Sequence, residues 1–180
     1  MLTTFFKKKI SDDQLATIFV NGILDVLDNC FSEMKALIQE DPAFVTSPDL
    51  ADATDGHFAM ILIVGNLDYL TDNFEGENSE SVKKLIIEKF SVVFDLEDYQ
   101  FEKHLENYQK FIGKVNHPSK NMLYGMSKAI FYKYELNQYQ DDYFRGMNLP
   151  NPLFLKRLDD VIENFIWNWD SFFRKHKMVS

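Results

Sequence analysis

Glycine, proline and cysteine are scarce in this chain of 180 residues, at seven, five and one. So few glycines leave no phosphate-cradling loop, and neither a GxSxG elbow nor an HExxH zinc motif is present. The single cysteine, Cys30, excludes an internal disulfide framework and any paired-cysteine zinc motif. Its place in an apolar helical pattern marks it as a small core residue rather than a nucleophile. The di-metal pattern of helical bundles, Glu followed three residues later by His, is missing too. Ahead of His57, His104, His117 and His176 stand Thr54, Phe101, Lys114 and Phe173 at that spacing. Asp52, Asp55 and His57 lie close together, but helical spacing does not converge them on one ion, and solvated capping is their expected role. No metal or cofactor is expected.

Positive charge is also short. Nineteen Lys and Arg against 28 Asp and Glu give a net charge of −9, which opposes binding to nucleic acid or anionic membrane. The carboxylates are spread along helix faces rather than massed as in a nucleic-acid mimic. The longest uninterrupted apolar run, Phe58 to Gly65, has eight residues and is too short to span a bilayer. At the N-terminus, MLTTFFKKKIS puts its phenylalanines before its lysines, the reverse of a secretory signal. A soluble, cytoplasmic protein is expected.

What the chain does have is aromatic mass. Seventeen Phe, eight Tyr and 46% hydrophobic residues can fill a sizeable core without disulfides or metals. The apolar spacing is helical almost throughout, and predicts one all-α domain, an antiparallel bundle of five or six helices preceded by a partly flexible segment 1–10. Ser11 and Gln14 have the spacing of a capping box, so the first helix starts there and ends before Pro42. MILIV alone suits a buried strand as well as a helix, but no second strand-like run exists to pair with it; a central helix from about Ala53 to Asn73 is predicted. After a turn from Glu75 to Asn78, Ser79 or Ser81 caps the third helix. Asp95 caps a fourth, which pairs with the third as a hairpin. The fifth runs from about Ser119 to Leu136, with Lys133 inside its apolar arc and expected to snorkel. Asn137 to Pro150 reads as an aromatic-bearing loop that folds back over the core or serves a site.

The most informative stretch is Asn151 to Lys177. Asn151 and Pro152 suit the start of a helix, and Phe154, Leu155, Leu158, Val161, Ile162, Phe165, Ile166, Trp169, Phe172 and Phe173 fall within an arc of roughly 140°. Trp167 lies roughly 100° outside that arc, among Asp160, Glu163, Asn164, Asp170 and Arg174. Cover by a loop or by the N-terminal segment is the ordinary fate of so large a residue; an anchor for a partner is the functional one, with Leu153 nearby.

One polar pattern stands out. Lys120, Tyr124, Lys128 and Tyr132 recur every four residues as a stripe, and Arg145 or Arg157 could join it from the following segments. Such a stripe is either an ordinary solvated face or a grip for an anionic ligand. The leading functional expectation is a non-catalytic interaction or regulatory module working through a protein partner or self-association. The runner-up is binding of a small anionic ligand, with or without chemistry, between the fifth and sixth helices.

Overall fold

The computed structural model describes residues 7–73 and 77–179, and they are mostly helical. Helix α1 (Asp12–Glu40) starts at the expected capping box: Gln14 N donates to Ser11 Oγ at 3.2 Å and Ser11 N donates to Gln14 Oε1 at 3.0 Å. It ends at Asp41, ahead of Pro42. One face of α1, from Leu15 through Phe19, Ile23 and Leu27 to Ile38, is buried against α2 and α3. By length and composition α1 could cross a membrane, with an 18-residue window of mean hydropathy 1.3, a third of it buried here. An uninterrupted run was thus too narrow a test of span length, because isolated polar residues such as Asn21 sit between apolar ones.

MILIV is helix, not strand. In α2 (Gly56–Asn73) every residue from Ile61 to Leu67 is buried, as befits a helix surrounded by others. It starts at Gly56, later than expected. A Cβ on Gly65 would lie 2.3 Å from the Met126 sulfur, so glycine here lets the fifth helix approach closely. Helix α3 (Glu77–Val93) contains Ser79 and Ser81 within it, so neither is its cap. Of the turn expected from Glu75 to Asn78, Glu77 and Asn78 are helical instead, and residues 74–76 lie outside the described residues, as do Met1 to Phe6. Helix α4 (Asp98–Asn116) is capped by Glu97, whose N–H donates to Gln100 Oε1 at 3.1 Å. Asp95, expected as that cap, instead takes a left-handed conformation (φ 54°) and turns the chain.

Helix α5 (Met122–Lys133) is shorter at both ends than expected and is capped by Asn121. The segment 137–150 is not a plain loop. After a 3-10 turn at Leu136–Tyr139 it forms α6 (Asp142–Met147), capped by Asp141. Fully buried Gln140 holds it: Nε2 donates to Leu149 O at 2.8 Å and to Asn137 Oδ1 at 3.0 Å, while Oε1 accepts from Asn151 N at 2.7 Å.

The last helix is not continuous. Helix α7 (Pro152–Ile162) passes through a 3-10 turn at Glu163–Phe165 and an extended Ile166 before α8 (Trp169–Lys175) begins. His176–Met178 then forms strand β2, parallel to β1 (Lys8–Ile10), so residues 8–10 are ordered rather than loose. The buried apolar side chains of all these elements form one cluster, with Phe19, Phe58, Phe90, Phe101, Phe131 and Phe154 at its centre.

Candidate functional site

The break after α7 is bridged from α2. Asn66 of α2 is completely buried; its Nδ2 donates to Phe165 O at 3.2 Å and its Oδ1 accepts from Trp167 N at 2.7 Å. These bonds replace the helical partners that Phe165 and Trp167 lack, and so make the interruption affordable in a dry interior. On a continuous helix Trp167 would face Asp160 and Asp170. The interruption turns it inward, against Phe19 (5.7 Å between ring centroids), Trp169 (6.1 Å) and Phe172 (5.9 Å). Gly22 of α1 lies directly beneath it: a Cβ there would come within 2.3 Å of the indole. Trp167 is therefore half-buried and, among the described residues, packed against α1. What remains accessible is the edge of a shallow groove that it shares with Ile18, Phe172, Lys175 and His176.

The basic stripe is partly dispersed. Lys120 precedes α5 and is exposed. Lys128 Nζ lies 4.3 Å above the Tyr124 ring, a cation–π contact, and partial burial lowers its pKa. The Tyr132 hydroxyl donates to Asn148 O at 2.9 Å, and burial raises its pKa, with Tyr124 adding to the shift. Arg145 does reach this neighbourhood, lining an open cavity of about 500 Å³ with Tyr132, but it forms an ion pair with Asp142. Arg157 is engaged elsewhere: Nε and Nη2 donate to Asp41 Oδ2 and Oδ1 at 2.6 and 2.7 Å, closing the end of α1 onto α7. Lys133 lies over the rings of Tyr108 and Phe111, at 4.9 and 4.4 Å, so its charge rests on aromatic faces at the helix end.

Leu153 stands in a different setting. It is 65% exposed, and Tyr143 (70%), Met147 (43%) and Leu149 (50%) accompany it within the corner formed by α6 and the start of α7. Tyr143 and Met147, four residues apart, share one face of α6. This corner is tightly built. Asp141 Oδ1 accepts from Tyr143 N and Phe144 N, Asn148 closes α6 in a left-handed conformation (φ 51°), and Gln140 ties both sides of the turn together. Asn151 Oδ1 accepts from Leu153 N at 2.9 Å and starts α7. Met147 and Leu149 carried no periodic signal, although an Asp cap at 141 and an Asn before Leu-Pro mark a short helix in retrospect. Leu153 stands in the first turn of α7, whereas Trp167 lies beyond the far end of that helix, which is about 14 Å from Leu153 by helical rise alone.

Cys30 is half-buried and its thiol pKa is raised by burial and by Glu33, the opposite of an activated nucleophile. Among the described residues, no group of three His, Cys, Asp or Glu is placed to hold a metal ion. No protein-family model, curated protein or solved structure matches the chain.

Proposed function

We propose that this chain is a non-catalytic interaction module: a single-domain antiparallel helical bundle, acting in the cytoplasm, that binds a basic protein partner through the α6–α7 corner. The observation that carries this reading is the joint exposure of Tyr143, Met147, Leu149 and Leu153 on backbone fixed by Asp141, Gln140 and Asn148. A rigid frame that presents clustered large apolar groups loses little entropy on docking, and such clusters mark interfaces. Charge selects the occupant. Two copies of a chain carrying −9 repel each other, whereas a partner with a Lys- or Arg-rich rim is attracted. For the same reason nucleic acid and anionic membrane are not the partners.

A photo-crosslinking side chain placed at Leu153, with the same group at exposed Val92 on α3 as control, tests this proposal. Adducts to a basic protein from position 153 and not from 92 are expected. Adducts to a second copy of this chain, equal yields from both positions, or none from either would overturn it.

A further inference from the structure

A second feature lies away from that corner, where the start of α2 meets the α3–α4 connection. A cavity of about 320 Å³ there is lined by Gly56, His57, Met60, Phe94, Leu96, Phe101, His104 and Tyr108, without a single carboxylate. Phe94 and Phe101 stack at 5.6 Å with nearly parallel rings (13°) and form an aromatic wall. Phe101, His104 and Tyr108 follow at steps of three and four, so α4 presents all three to the same space.

His57 supplies the polar element. Its Nδ1 lies 2.6 Å from the Tyr108 hydroxyl, and its ring packs edge-on against Tyr134 at 5.7 Å. Tyr134 is itself fixed, donating to Thr54 O at 2.8 Å and accepting from Phe58 N at 3.1 Å. Burial raises the Tyr108 pKa, so the phenol keeps its proton; burial and then Lys133 lower that of His57, so the imidazole is neutral near pH 7. A phenol is a better donor than acceptor toward imidazole, so Tyr108 donates to Nδ1. That places the ring proton on Nε2, which leaves Nε2–H as a donor oriented by its neighbours.

The geometry points to a binding site for a small aromatic carboxylate, its ring against Phe94, which the fully buried Phe101 backs, and its carboxylate accepting from His57 Nε2–H, with His104 beside it. Two features favour an anionic head group, the positive end of the α2 dipole at Gly56 and His57 and the Lys133 ammonium behind Tyr108, and they act against Asp55, which adjoins the lining and is close enough to Tyr134 to raise its pKa. The volume is at the small end of ligand cavities, roughly 300–1,000 Å³, which suits one ring system and not an extended chain.

Phenylacetate, benzoate and indole-3-acetate, each titrated to about 1 mM while the imidazole resonances of His57 and His104 are followed by NMR, test this assignment. At least one acid should saturate and shift both, and its neutral amide should bind roughly tenfold more weakly or worse. A His57→Phe variant should lose about as much, and Leu96→Trp, which fills the cavity and leaves His57 in place, should bind none while keeping its helical circular dichroism. If His57→Phe does not fold, Leu96→Trp and the amide comparison decide. No saturable shift with any of the acids, an amide that binds equally well, or wild-type binding by Leu96→Trp would overturn the assignment.

Discussion

Three sets of side-chain contacts hold distant parts of this chain together. Asp41 is 2% exposed and Arg157 39% exposed where they pair, so removing the guanidinium strands a carboxylate with only the Ala43 amide to satisfy it. Arg157→Ala should lower unfolding free energy by about 2 kcal/mol, less than the 3–5 kcal/mol of a fully buried pair because Arg157 keeps contact with water. A urea midpoint unchanged from the parent would show that the pair contributes nothing. His57 makes a pH-dependent contribution. Its neighbours are Tyr108, Tyr134 and Lys133, and its folded pKa lies below 6.5, the ordinary value. The unfolded chain therefore binds the proton more tightly, and stability declines as pH falls through 6.5 toward the folded value. A His57→Gln variant should lose less melting temperature than the parent between about pH 7.5 and about pH 5.5; equal losses would refute the contribution. Asn66 makes the third. Nothing in the spacing of apolar residues singled it out, because its function depends on groups about a hundred positions away.

Elements were legible in the sequence where their signals are local. The Ser11 and Gln14 box, the Asn151 and Pro152 start and the buried α2 are all set by neighbours within a turn or two, and each stands where the spacing put it or within a few residues. Most of the apolar arc of the last stretch also survived: Phe154, Leu155, Leu158, Ile162, Phe165, Trp169 and Phe172 are buried and Val161, Ile166 and Phe173 half-buried, although two helices and the turn between them carry these residues. The break was hidden because helical and interrupted backbones bury the same apolar arc, Trp167 excepted, and the bonds that hold the interruption come from Asn66. The parallel pairing of Lys8–Ile10 with His176–Met178 was hidden too, since three-residue strands have no period to read. Gly22 offers a test of the interrupted geometry. In Gly22→Ala the new methyl must displace the Trp167 ring, and overpacking of about 1–3 kcal/mol is offset by about 1 kcal/mol of helix propensity. Stability should fall by about 0–2 kcal/mol, while tryptophan emission, to which Trp167 and Trp169 alone contribute, shifts to the red. Unaltered emission would mean that Trp167 does not rest on α1.

At the scale of the molecule, the candidate surfaces separate by how each is occupied. Trp167 is drawn under α1 and into its aromatic neighbours, and Arg157 is committed to Asp41; both stood out in the sequence, and both are largely engaged within the fold. Leu153 is the residue whose surroundings make a surface, and its companions Met147 and Leu149 were not legible because α6 is too short for periodicity. The acidic balance of the chain was legible from composition alone, and it makes a basic partner the favoured occupant of that surface. The most direct measurement is the affinity of the crosslinked partner, once identified, for the parent chain, for Tyr143→Glu/Leu153→Glu and for Val92→Glu, all shown to be folded. Binding should weaken about thirtyfold or more in the double variant, as expected when hot-spot residues are replaced, and stay unchanged in Val92→Glu. Equal affinity for all three proteins would place the interface elsewhere.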